Sequence, residues 1–120
     1  MNEKEYLICV STYVPLGPVR LSLLKSYFGS ARKIWQANYS DLRQTGLSER
    51  LTSGLIKHRN RFNPEAYFAR LKQNNITVLT QADFQYPANL LDLADAPALL
   101  YVKGKIKKAD SKAIAVVGSR

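Results

Sequence analysis

The sequence contains one cysteine, one histidine and nine carboxylates in 120 residues. A single cysteine, Cys9, cannot form an internal disulfide, so a reduced setting is expected. One cysteine and one histidine, His58, cannot complete a zinc site. The sequence contains no Ser/His/Asp set, and its carboxylates are too scattered to form an acid/base pair. We therefore expect no metal, no cofactor and no enzymatic activity.

The chain also lacks a long apolar run. No segment approaches the roughly 20 apolar residues of a membrane span, and the mixed, acidic N-terminus does not resemble a secretory signal. These absences predict a cytoplasmic protein without a membrane partner. Cys9, between Leu7, Ile8 and Val10, is predicted to be a buried, unreactive thiol. His58, between Lys57 and Arg59, is predicted to be a solvated surface residue.

Acidic residues are outnumbered two to one. Eighteen Lys and Arg face nine Asp and Glu, for a net charge of +9. From Arg20 to Lys72, eleven basic residues face only three acidic ones, so this stretch alone carries +8. Such a surplus predicts a polyanionic partner, either nucleic acid or an anionic membrane surface, and its size favours nucleic acid.

The first 75 residues have the pattern of a bundle of short helices. Apolar residues recur at helical spacing, with Ile34 and Trp35 predicted to face inward. In the second helix, Val19, Leu23, Leu24, Tyr27 and Phe28 form one apolar stripe. Pro18, Gly29 and Ser48 suit a first turn, a left-handed end and an N-cap. The predicted helices span 3–14 (ended by Pro15), 18–28, about 31–38, a short turn at 41–44, 49–60, and a segment opened by Asn63-Pro64 and closed by Asn74-Asn75.

After residue 75 the pattern changes to strands. Residues 76–80 are short and rich in β-branched side chains, which indicates a strand, and residues 98–103 and 113–117 are predicted to be two further strands. The last run is apolar throughout, which is typical of a strand buried on both faces of a parallel sheet. The sequence therefore predicts an α+β fragment with a helical domain at 1–75 and the beginning of an α/β domain at 76–120.

Three glycine turns are candidate phosphate sites. Gly17 and Gly46 each precede a helix, as in helix-hairpin-helix motifs, where free N–H groups meet a phosphate. Arg20, Arg50 and Lys57 lie where they could assist, although such turns also serve in scaffolds and protein-docking modules. The third turn follows the last strand, where the Gly118 backbone, the Ser119 hydroxyl and the Arg120 guanidinium could bind phosphate.

The order of motifs resembles the DNA processing protein A (DprA/Smf) family. The similarity runs through residues 6–30, with their glycine-proline turn and Phe-Gly-Ser ending, and through Ile34-Trp35. It continues through the Tyr-Pro-x-x-Leu segment of residues 80–91, the proline-led strand of residues 96–104 that ends in Lys-Gly, and the Val-Gly-Ser-Arg loop of residues 116–120. Residue 96 is Ala where the family often has Asp.

The resemblance implies a sterile-alpha-motif-like (helix-hairpin-helix-like) N-terminal domain followed by a Rossmann-like domain. It also implies a non-enzymatic mediator that binds single-stranded DNA, forms a homodimer and helps load a RecA-type recombinase during natural transformation. Gly118, Ser119 and above all Arg120 would line the DNA pocket. Two alternatives stay open: a nucleotide-binding Rossmann-type enzyme fragment, and a helical module that docks a protein.

Overall fold

The computed structural model describes residues 1–93, 96–104 and 116–118, the last three by their backbone only. These residues form an α+β arrangement of seven α-helices, one 3₁₀ helix and three strands. In chain order they are α1 (Glu3–Ser11), the 3₁₀ helix Val14–Leu16, α2 (Gly17–Phe28), α3 (Ala31–Gln36), α4 (Tyr39–Gln44), α5 (Glu49–Arg61), α6 (Pro64–Gln73), β1 (Ile76–Thr80), α7 (Ala88–Leu91), β2 (Leu99–Lys103) and β3 (Val116–Gly118).

Side-chain caps explain where most helices begin. Asn2 and Glu5 form a capping box on α1, and Ser48 accepts from the Leu51 amide at the start of α5, as predicted. Asn63 caps α6, whose first residue is Pro64. Gly29 ends α2 with a φ of 90°, the left-handed conformation that the sequence predicted.

Two compact units divide the chain, Met1–Phe62 and Asn63–Ser119. They are called here the helical unit and the sheet unit. The division comes before α6, whereas the sequence placed its domain boundary after residue 75; that boundary stays a prediction.

Among the described residues no single helix is long and apolar enough to cross a membrane. The segments Glu3–Ser11 and Val14–Phe28 would together be long and apolar enough, but the chain bends by 82° between them.

In the helical unit, α1 and α2 both pack against α3, and α4 packs against α5. Ile34 and Trp35 are buried, which confirms their predicted inward orientation. Gly54 lies in the middle of α5, where glycine is normally unfavourable. A Cβ atom there would lie 2.9 Å from Cζ of Tyr13, so glycine allows the Tyr13 ring to contact the helix. The other large, fully buried side chains of this unit are Leu16, Leu42, Leu55, Val10, Thr52 and Cys9.

Cys9 is fully buried, as predicted. Burial, reinforced by the nearby Glu5 carboxylate, raises the pKa of its thiol to about 11. The thiol is therefore protonated at neutral pH and lacks the thiolate that reacts with oxidants and metals.

The first helix is shorter than predicted. It ends at Ser11 instead of continuing to Val14, and Pro15 lies inside the 3₁₀ helix that follows. The Thr12 hydroxyl donates to the Cys9 carbonyl at 2.6 Å, which satisfies one of the carbonyls at the helix end.

The apolar stripe of α2 does not face the core as one surface. Leu21 and Leu24 are buried, whereas Val19, Leu23 and Tyr27 are 57%, 65% and 57% exposed. Interpreting Tyr27 as a core residue was therefore wrong. The helix carries apolar residues on two adjacent sides, and periodicity alone cannot tell which side the domain uses.

The sheet unit contains the three strands in the order β1-β2-β3. β1 matches the predicted strand 76–80, and it pairs antiparallel with β2, with Val78 opposite Tyr101 and Thr80 opposite Leu99. β3 also pairs antiparallel with β2. The expectation of a parallel strand at 113–117 is thus wrong for the described residues 116–118, because an apolar run indicates burial but not strand direction.

The tract between β1 and β2 folds back on the strands. It contains the single turn α7, and its Tyr86 and Leu90 pack with Leu79, Leu100 and Val102. The Tyr86 hydroxyl donates to the Pro97 carbonyl at 2.7 Å, and the side-chain amide of Gln81 donates to the same carbonyl at 3.0 Å. The Tyr-Pro-x-x-Leu segment is therefore a core element of this unit.

Candidate nucleic-acid interface

The N-terminus of α2 is the helix start best suited to an anion. Gly17 has a φ of 75°, and Leu16 at the N-cap provides no side-chain acceptor for the first N–H groups. The first turn contains no acidic residue and carries Arg20, which is exposed. A cation at this end opposes the helix dipole, and a bound phosphate would be favourable for both the dipole and Arg20.

The N-terminus of α5 is less suited to an anion. Gly46 has a φ of 92°, and Arg50 is exposed beside it. However, the Ser48 hydroxyl already accepts from the Leu51 amide at 3.2 Å, and Glu49 places a carboxylate in the first turn. Lys57 is exposed but lies seven residues beyond Arg50, about 10 Å further along the helix.

The starts of α1 and α3 are occupied by the protein's own carboxylates. Glu5 completes the capping box of α1. The Glu3 carboxylate accepts from the backbone amides of Ala31 at 2.7 Å and of Arg32 at 3.2 Å at the start of α3. At these two helix starts the protein's own carboxylates therefore take the place of a phosphate.

Some of the basic residues counted toward a nucleic-acid surface have internal roles. Arg59 donates from Nη1 to the carbonyls of Trp35, at 2.5 Å, and Ala37, at 2.7 Å. It thus joins α5 to the C-terminal end of α3, and burial lowers the pKa of its guanidinium. Arg43 donates to the Leu47 carbonyl. The net charge of the sequence does not distinguish arginines that donate to backbone carbonyls from those that do not.

His58 is not the solvated surface residue that the sequence predicted. Its ring stacks on Phe62 at 5.4 Å and lies 5.7 Å from the Tyr13 ring, and its Nε2 is 2.7 Å from the Thr12 hydroxyl. Because that hydroxyl donates its proton to the Cys9 carbonyl, we assign the Nε2–H of His58 as the donor to Thr12. Burial lowers the pKa of His58.

The lowered pKa of His58 predicts a pH dependence of the stability of the helical unit. The unfolded chain gains a proton at the usual histidine pKa of about 6.5, while the folded unit resists protonation to a lower pH. The contribution of neutral His58 to the free energy of unfolding is therefore complete above about pH 7.5. It is lost as the pH falls from the usual pKa of about 6.5 through the lower pKa of the folded unit. Urea denaturation, followed by Trp35 fluorescence between about pH 7.5 and pH 5.5, where carboxylates change little, measures it. We expect a shallower decline for His58→Gln, and identical declines would contradict the role of this ring.

The third candidate site is only partly described. Gly118 ends β3 and lies opposite Tyr101 of β2. Ser119 and Arg120 lie outside the described residues. Their assignment to phosphate binding stays a prediction, as do those of Gly17, Arg20, Gly46, Arg50 and Lys57. The sites on α2 and α5 belong to the helical unit, and Gly118 belongs to the sheet unit.

No group of three or more potential metal ligands occurs among the His, Cys, Asp and Glu side chains of the described residues.

Comparison with known proteins agrees with the family resemblance that the order of the motifs indicated. The family model of DNA recombination-mediator protein A matches residues 77–120. Protein Smf of Synechocystis sp. is 27% identical over 124 residues, which cover 99% of this chain and 31% of Smf. The chain thus spans about a third of the length of this curated relative. No solved structure matches the chain. This chain is thus similar to the DNA recombination-mediator protein A family at residues 77–120 and to Smf along almost its whole length.

Proposed function

We propose that this protein is a recombination mediator that binds single-stranded DNA and catalyses no reaction. The observation that carries the proposal is the family match at residues 77–120, which includes the strand-glycine turn ending in Arg120. The net charge of +9 supports a polyanionic partner. The family resemblance adds a RecA-type recombinase as partner, a homodimer, and a role in DNA uptake and natural transformation.

In this proposal Arg120 pairs with a DNA phosphate through its guanidinium, and Gly118 and Ser119 add a close backbone approach and a hydroxyl donor. The sheet unit would then be the first part of a Rossmann-like domain with a mixed sheet, and residues 1–75 would form the sterile-alpha-motif-like domain.

The helical unit would contribute auxiliary phosphate contacts. Its ten basic and four acidic residues give it a net charge of +6. Among the predicted auxiliary residues, the structure favours Gly17 and Arg20 over Gly46 and Arg50, because α2 lacks both the hydroxyl cap and the carboxylate found at the start of α5. Lys57 would act as a distant charge.

The proposal is tested by titrating a fluorescently labelled oligothymidine with the chain and recording anisotropy at several salt concentrations. We expect weak binding whose logarithmic affinity falls linearly with the logarithm of salt, by about 0.7 per phosphate contacted. An unlabelled single strand should compete better than a duplex of the same length. Absence of binding at low salt would contradict the proposal and leave residues 1–75 as a docking module.

A further inference from the structure

The α2 helix carries two adjacent apolar faces, and the domain uses only one of them. Leu21 and Leu24 are buried against the helical unit. Val19, Leu23 and Tyr27 follow one another at every fourth residue, so at 3.6 residues per turn they form a row along the other side. This set of three residues is called here the α2 row.

The α2 row is continuous, unlike the single exposed apolar side chains of ordinary surfaces. Its members are each more than half exposed, and they extend over about 12 Å of helix. Serines at positions 22 and 26 border the row on one side, and Arg20, one turn before Leu23, borders it on the other. A narrow apolar seam with polar edges is the pattern of a helix that packs against another helix.

The charge around the α2 row has one sign. Arg20 is exposed at the edge of the row, Lys25 lies on the far side of the same helix, and residues 6–40 contain four basic residues and no acidic one. The two carboxylates that precede this stretch are engaged, since Glu3 caps α3 and Glu5 caps α1. The neutralising charge must therefore come from another molecule or from a part of the chain outside this stretch.

We propose that the α2 row is a docking face for an acidic amphipathic helix of a partner protein, in which leucine-type side chains cover the row and a glutamate pairs with Arg20. A second copy of this chain fits poorly, because its residues 6–40 carry the same excess of positive charge. A membrane surface is less suited, since serines occupy an edge where membrane-binding helices carry Lys or Arg. Two of the three side chains are aliphatic, which does not favour base stacking.

The test uses a fluorescently labelled synthetic helical peptide with leucines along one face and glutamates beside them, titrated with the chain. We expect saturable binding, and a peptide with lysines in place of the glutamates should not bind. Leu23→Gln should weaken binding roughly tenfold or more, because a leucine side chain is no longer buried. Arg20→Gln should weaken it less. Leu91→Gln, the same change at an exposed leucine of the sheet unit, should leave binding unchanged.

Folding of the variants is checked by the urea transition of Trp35 fluorescence, which Leu23→Gln should preserve because the side chain is exposed. The proposal is overturned if the glutamate peptide does not bind, if the lysine peptide binds equally well, or if Leu23→Gln binds like the unchanged chain. Three further measurements are self-association by sedimentation, binding to anionic phosphatidylserine vesicles and binding to an oligothymidine. If loss of Leu23 abolishes self-association, vesicle binding or DNA binding in the absence of peptide binding, the row serves that other partner. The peptide readout does not depend on the proposed DNA site, so each proposal can fail alone.

Discussion

Arg59→Met is expected to lower the free energy of unfolding of the helical unit by about 2–3 kcal/mol. The guanidinium is the donor to two carbonyls, those of Trp35 and Ala37. Its loss leaves both acceptors without that partner at a partly buried helix end. The chain has one tryptophan, and Trp35 lies at this contact, so urea denaturation followed by Trp35 fluorescence measures the loss directly.

The matched control is Arg61→Met, the same substitution at an exposed position of the same helix. It removes the same charge, and we expect a change within about 0.5 kcal/mol. Arg59→Lys should be intermediate, since an ammonium cannot reproduce the fork geometry that reaches two carbonyls. Equal effects of the two methionine variants would show that Arg59 acts only through its charge.

Tyr86→Ala is expected to lower the stability of the sheet unit by about 3–5 kcal/mol. The ring is 4% exposed and packs with Leu79, Leu100 and Val102, and the hydroxyl bonds to the Pro97 carbonyl. Amide hydrogen exchange of Leu79 and Leu100, which lie opposite each other in β1 and β2, measures the opening of this unit separately from the helical one.

Two further variants separate the contributions of Tyr86. Tyr86→Phe keeps the ring and should cost about 1 kcal/mol through the lost hydrogen bond. Phe84→Ala removes a ring that is 71% exposed in the same tract, and it should have a much smaller effect than Tyr86→Ala. If the protection of β1 and β2 falls equally in Phe84→Ala and Tyr86→Ala, the packing role of Tyr86 is refuted.

Local signals in the sequence predicted most of the helices and strands. Ser48, Asn63-Pro64 and Gly29 marked helix ends correctly because caps depend on side chains within a few residues. The strand 76–80 was predicted with its observed bounds. The direction of the strands was not available locally, since pairing depends on how the intervening chain returns.

The two errors on buried faces have different causes. In α2 both sides are apolar, so the period was found but the inward face was not. His58 was interpreted from its charged neighbours, although Leu51, Leu55, His58 and Phe62 recur at helical spacing and place the ring on the apolar side of α5. That spacing could have identified His58 as half-buried.

The candidate site was predicted with less detail than the fold. The excess of basic residues is visible in the sequence, but the internal use of Arg59 depends on the approach of α5 to α3. The difference between the starts of α2 and α5, in contrast, can be read from the sequence, because Ser48 and Glu49 come directly before Arg50, whereas the residues directly before Arg20 include no hydroxyl or carboxylate.

The most direct test of the proposed function compares the affinity for labelled oligothymidine of the unchanged chain, Arg120→Glu and Lys72→Glu across salt concentrations. Both substitutions change the net charge equally, and Lys72 is exposed on α6. We predict that Arg120→Glu weakens binding much more and reduces the salt slope by about 0.7, the value for one phosphate contact on a single strand. Equal, small effects of the two variants would contradict a phosphate contact at Arg120 and would move any DNA contact to the helical unit.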